Sequence, residues 1–210
     1  HSAQSIVHIE ALNIERAPFG KQSAVINPAT GQMMIARSIP IAKQVKKGAG
    51  VIISSSGLVV SNIHTIFGAE KIIVHLADGT SLSAKVLHLA EQDDLALLKV
   101  EPSSPLIPIE FADSNLVKLK DEVINIGSSD LLKETISGGN INGLGTNRIT
   151  KEIELIKINI TLYKGDSGGP LLNTDGRLIG MMIGKLKHKD RASFAIPSNK
   201  IKKLYLDYAK

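Results

Sequence analysis

Gly165-Asp166-Ser167-Gly168-Gly169-Pro170, running on into Leu171-Leu172, is the stretch of this 210-residue chain on which the fold reading turns. A serine hydroxyl is a poor nucleophile until a neighbouring base takes its proton. Acyl chemistry also needs N–H donors aimed at the oxyanion as it forms. A loop of this composition suits both demands. Glycine at 165 lets the backbone turn so that the N–H groups of Gly165 and Ser167 face one hole, with Asp166 between them, and Gly168 and Gly169 remove side-chain bulk where an extended chain must approach. An ordinary Gly-Ser turn is the plain alternative. The hexapeptide with its closing proline is far more specific than a lone Gly-x-Ser-x-Gly, so Ser167 is the candidate nucleophile and Gly165, Asp166 and Ser167 the candidate oxyanion hole.

Around this loop the composition favours sheet. Apolar residues make up 43% of the chain, but aromatics only 3%, and tryptophan is absent. Isoleucine, leucine and valine must therefore fill the core, and branched aliphatics pack well on pleated surfaces. The absence of cysteine excludes a disulfide framework and a thiolate metal site. The net charge is +5 and the sequence pI about 9.3. Lysines gather in Lys43-Gln44-Val45-Lys46-Lys47, in Lys185-Leu186-Lys187-His188-Lys189 and at Lys202-Lys203. No nucleic-acid motif accompanies them, so they read as solvated surface and nucleic acid is not an expected partner. No run of 18 apolar residues appears, and no signal peptide is visible; the chain starts His1-Ser2 and reads as trimmed.

Short apolar runs recur along the chain, broken by turn signals. Val7-His8-Ile9-Glu10 alternates as a strand does, and residues 11–47, with their prolines, glycines and scattered charge, read as a long loop holding a hairpin at Asn27-Pro28-Ala29-Thr30-Gly31. Gly48–Ser54 and Leu58–Ser61 flank Ser55-Ser56-Gly57, and Lys71–Leu76 and Ser83–Leu87 flank a turn holding Asp78-Gly79, a strong hairpin cue. Leu95–Val100 closes the first half, which is expected to span 1–110. A second half, 111–210, repeats the rhythm at 122–127, 134–139, 153–160, 170–173, 178–183 and 193–197. Many short strands at regular spacing predict a sandwich or barrel. Only the tail predicts a helix, with Ser198 as N-cap and Ile201, Leu204, Tyr205 and Tyr208 on one face.

The loop from Gly165 to Pro170 matches the nucleophile motif of chymotrypsin-like proteases, and the rest of the chain resembles their HtrA/Deg branch. Gly48-Ala49-Gly50-Val51-Ile52-Ile53-Ser54 is similar to that branch's second strand. Ser61-Asn62-Ile63-His64 resembles the segment that presents the catalytic histidine, and Asp94-Leu95-Ala96-Leu97-Leu98-Lys99 the segment that opens on the catalytic aspartate. Ala112-Asp113-Ser114, Leu119-Lys120-Asp121-Glu122-Val123 and Ser193-Phe194-Ala195-Ile196-Pro197-Ser198 complete the series in the right order. The resemblance implies an all-β fold of two six-stranded antiparallel Greek-key barrels with a short C-terminal helix. His64 would be general base and then general acid, Asp94 would hold its tautomer, and Ser167 would attack. Asp93 competes with Asp94, but the place directly before Leu-Ala-Leu-Leu favours Asp94. His75 and His88 read as surface, and His188 lies in a basic loop.

The same resemblance implies an ATP-independent serine endopeptidase acting on unfolded or damaged protein, trimeric, extracytoplasmic, and using no metal or organic cofactor. Such proteins carry a PDZ domain; none follows here, and a membrane tether would lie outside these 210 residues. The residue six before the nucleophile, at the base of the primary pocket in such enzymes, is Thr161 rather than an acid. With Leu162 beside it and Met181, Met182 and Ile183 as a wall, the pocket would take a small or medium aliphatic side chain, since a buried cation there would lack a partner. The chain departs from the branch at Thr65, at Gly127-Ser128-Ser129, at Asn159, which replaces an acid, and at Lys164, which replaces a proline of the oxyanion loop. A protease-fold scaffold that binds a protein partner or metal ion with little proteolysis is the alternative reading.

Overall fold

The computed structural model describes residues 2–16, 22–26, 33–37, 41–130, 133–163, 165–185 and 193–208. After a one-turn 3₁₀ helix at Ser2–Ser5, the first half contributes β1 (Ile6–Arg16), β4 (Ile41–Ile52), β5 (Leu58–Asn62), β6 (Lys71–His75), β7 (Ser81–Ala90) and β8 (Leu95–Lys99), with β2 (Gln22–Ile26) and β3 (Met33–Arg37) inserted between β1 and β4. The second half contributes β9 (Glu122–Asp130), β10 (Lys133–Thr146), β11 (Ile153–Ile158), β12 (Pro170–Leu172), β13 (Leu178–Lys185) and β14 (Ser193–Pro197). A one-turn helix α1 (Ile63–Ile66) follows β5, and α2 (Ser198–Tyr208) closes the chain.

Each half is a closed antiparallel barrel, in the orders β1-β4-β5-β8-β7-β6 and β9-β10-β11-β14-β13-β12. With the β2–β3 hairpin set aside the two barrels share one connectivity, which is why the sequence shows the same rhythm twice. The barrels bury their strands on both faces. In β8, Ala96 and Leu98 fill the first barrel with Val7, Ile9, Val59 and Val74, while Leu95 and Leu97 point outward into a second cluster. That outer cluster joins Val51, Leu58 and Val60 to Ile126, Leu172, Leu178, Met181 and Ile196 of the other barrel, and Ile201 and Leu204 of α2 cap it. A strand covered on both sides reads as a continuous apolar run rather than an alternation.

The structure departs from three expectations. Residues 11–47 are not a loop: β1 runs to Arg16 and pairs with β4 from Ile6↔Val51 out to Arg16↔Ile41, while β2 pairs with β3. The turn expected at Asn27–Gly31 lies outside the described residues, although its flanking strands pair as a hairpin. On α2, Ser198 does not cap the helix. Its hydroxyl donates to the Ala112 carbonyl, and the Asn199 N–H finds the Ser114 hydroxyl instead. Tyr208 stays 45% exposed at the fraying end, outside the apolar face formed by Ile201 and Leu204.

Candidate active site

The end of β5 and the start of β8 lie side by side, with Asn62 opposite Leu95. This register brings residues 30 apart in sequence together. Beyond Asn62 the chain makes the single turn of α1, which buries Thr65 and Ile66 and leaves His64 and Phe67 facing solvent. Asp94 ends a 3₁₀ turn in a left-handed conformation, φ 52°. Its Oδ2 lies 2.5 Å from His64 Nδ1, and its Oδ1 accepts the His64 backbone N–H at 3.0 Å. Asp93 turns the other way and pairs with Lys200 of α2 at 2.6 Å. The two adjacent carboxylates thus have different partners, and it is Asp94 that meets the imidazole.

Two donors hold the Asp94 carbonyl: the Ile63 N–H at 3.1 Å and the Asn62 side-chain amide at 3.2 Å. Asn62 is fully buried. It follows a second buried polar residue, Ser61, at the end of β5, so nothing in the sequence singles it out and sequence reasoning gave it no role.

Ser167 sits in a loop fastened to both barrels. Its carbonyl accepts the Ala49 N–H of β4 at 2.8 Å, while Gly168 and Gly169 exchange hydrogen bonds of 2.8 and 2.9 Å with the Met182 backbone of β13. Gly168 has φ 83°, and a Cβ there would lie 2.1 Å from the Ala49 carbonyl oxygen, so only glycine fits. Asp166 is buried and clamps the turn before it: its Oδ2 accepts the Tyr163 N–H at 2.6 Å and its own N–H donates to the Tyr163 carbonyl at 3.2 Å. Gly165, at φ 108°, lies inside that clamp. The N–H groups of Gly165 and Ser167 donate to no other described residue. Lys164 lies outside the described residues.

The Ser167 hydroxyl donates to the Ile183 carbonyl at 3.3 Å, and among the described residues no hydrogen bond joins it to His64. Because Nδ1 of His64 faces Asp94, Nε2 is the nitrogen left for a serine.

The expected pocket residues do not form one wall. Strand alternation sends Met181 and Ile183 toward the inter-barrel cluster and Met182 into the second barrel's interior, beside Leu162. Leu162, Met181 and Met182 are buried, whereas Thr161 is exposed. Among the other histidines, His88 is exposed, but His75 is half-buried: Nδ1 lies 2.8 Å from the Ser81 hydroxyl and Nε2 3.4 Å from Glu10. His188 lies outside the described residues. Among the described residues no three His, Asp or Glu side chains converge as metal ligands do.

The family description "Trypsin-like peptidase domain" matches residues 48–181, which include His64, Asp94 and Ser167. The chain belongs to the trypsin-like peptidase family. Within that family it is similar to HtrA and Deg proteases. A probable periplasmic serine endoprotease, DegP-like, of Rickettsia conorii is 38% identical over 76% of this chain and 33% of its own length. Serine protease HTR4 of Rattus norvegicus is 33% identical over 87% of this chain and 39% of its own. The periplasmic pH-dependent serine endoprotease DegQ of Escherichia coli is 36% identical over 72% of this chain and 35% of its own. The chain thus spans between 33% and 39% of the length of these curated relatives.

Proposed function

We propose that this chain is the catalytic unit of an HtrA-like serine endopeptidase, with Ser167 as nucleophile, His64 as base and then acid, and Asp94 holding the imidazole. The observation that carries the reading is the buttressed His64–Asp94 pair on one barrel, together with a glycine-rich serine loop fastened to both. Ser167 Oγ would leave the Ile183 carbonyl, pass its proton to His64 Nε2 and attack the substrate carbonyl. The Gly165 and Ser167 N–H groups would receive the oxyanion, and His64 would return the proton to the leaving amine before water repeats the cycle. Nothing in this chemistry calls for a metal or organic cofactor.

The names of the relatives support a protein substrate and an extracytoplasmic site of action, and we extend both to this chain, together with a homotrimeric assembly. Among the described residues no helix is long and apolar enough to cross a membrane. For specificity we retain a small or medium aliphatic residue before the cleaved bond, with Leu162 and Ile183 as its neighbours, because a substrate cation there would lose its water without gaining a carboxylate. Incubation with an unfolded protein such as reduced, carboxymethylated lactalbumin tests this. Ser167-dependent fragments ending mainly in Val, Ile, Ala or Leu are expected. Fragments ending in Lys or Arg, or fragments equally abundant with Ser167→Ala, contradict it. The bond from Ser167 to Ile183 instead of His64 favours the second reading, a protease-fold scaffold with little proteolysis; the absence of Ser167-dependent fragments would support that.

A further inference from the structure

Phe67 is 70% exposed in a chain with four phenylalanines and no tryptophan. It lies three residues after His64, at the C-terminal end of α1, and the one turn between them puts both side chains on the solvent face while Thr65 and Ile66 go inward. Residues three apart on a helix are surface neighbours, with Cβ atoms about 5–6 Å apart. The ring is not loose. Lys46 of β4 donates from Nζ to the Phe67 carbonyl at 3.0 Å, and the same Nζ lies 5.7 Å from the ring centroid. Among the described residues no carboxylate pairs with Lys46.

Resting on the peptidase reading, the chemistry of His64 then says what covers this ring. A general acid must touch the leaving amine, so the substrate chain on the leaving side of the scissile bond has to pass over the exposed face of α1. An extended chain advances about 3.3 Å per residue, so Phe67 comes within reach about two residues beyond the bond. We propose that Phe67 and Lys46 form a leaving-side specificity subsite that selects an aromatic or large aliphatic residue within two positions after the cleaved bond, with an acidic residue next to it. The open ring face takes the apolar side chain, and the unpaired Lys46 ammonium takes the carboxylate.

The Ser167→Ala protein allows the test without turnover. Two fluorescent peptides share one sequence before the bond and differ after it, Phe-Glu against Ser-Gln, and anisotropy reads their binding. The Phe-Glu peptide is expected to bind at least fivefold tighter; Phe67→Ser in the same background removes most of that difference, and Lys46→Gln removes the part due to the acid. Equal affinities for the two peptides overturn the proposal, as does a preference that survives Phe67→Ser. Cleavage by the Ser167 protein separates this from the function itself. A binding preference without cleavage sinks the peptidase and the leaving-side assignment with it; cleavage with no binding preference sinks the subsite alone.

Discussion

Asp94 is held by a concentrated set of constraints. A non-glycine residue at φ 52° costs on the order of 1 kcal/mol and persists only where the surroundings over-determine it. Here its carbonyl is held by Ile63 and Asn62 and its carboxylate by the His64 N–H and ring. Among the described residues Asn62 supplies the one side chain gripping the Asp94 backbone, so Asn62→Ala should let the carboxylate drift from the imidazole. Since a displacement near 1 Å in a catalytic constellation costs about a hundredfold, kcat should fall roughly tenfold to a hundredfold with little change in KM. The loss of one hydrogen bond should cost only about 1 kcal/mol of stability. Steady-state kinetics alongside thermal unfolding checks this; unchanged kcat would contradict it. Ser167 was a candidate on the composition of its glycine-rich loop, whereas His64 and Asp94 were candidates only through the resemblance of the segments that hold them. Asn62 was not, because an amide that acts through a backbone carbonyl leaves no separate chemical mark. Met181, Met182 and Ile183 do not make the single wall expected of them, because successive side chains on a strand turn to opposite faces.

At the scale of the elements, the strands that stand in two cores were readable, since burial on both sides produces unbroken runs such as Leu95-Ala96-Leu97-Leu98. The outer lengths of β1 and β4 were not. Their pairing joins segments 25 or more residues apart at the near end, and no turn signal links them directly. Near the start of β1 His8 stands opposite His75 of β6, and two residues along Glu10 stands opposite Lys47 of β4. Burial, and then the positive charges of His75 and Lys47, hold His8 below the ordinary value of 6.5, with Glu10 pulling the other way. A histidine whose folded pKa is lowered takes up its proton more readily in the unfolded chain. Its contribution is therefore complete above about pH 6.5 and is lost as the pH falls below that. The decline in melting temperature from pH 7.5 to 5.5 should be smaller in His8→Gln than in the parent. Equal declines would show that the strand pair carries no such penalty.

Over the whole molecule, the proposed machinery is divided: His64 and Asp94 belong to the first barrel and Ser167 to the second. Their alignment depends on the apolar cluster between the barrels, which α2 caps with Ile201 and Leu204 and secures through Lys200 on Asp93. Ile201 is fully buried there. Ile201→Ala should cost about 2–4 kcal/mol, read as a melting point lower by several degrees. A cost below about 1 kcal/mol would show that the barrels dock without the helix. We propose that this docking yields a serine that His64 can activate, although Ser167 rests on the Ile183 carbonyl. Covalent reaction with a fluorophosphonate probe, located by mass spectrometry, tests it most directly. A single adduct on Ser167, abolished by Ser167→Ala and strongly slowed by His64→Ala, is the predicted result; a protein that stays unlabelled, or labels equally without His64, would contradict it.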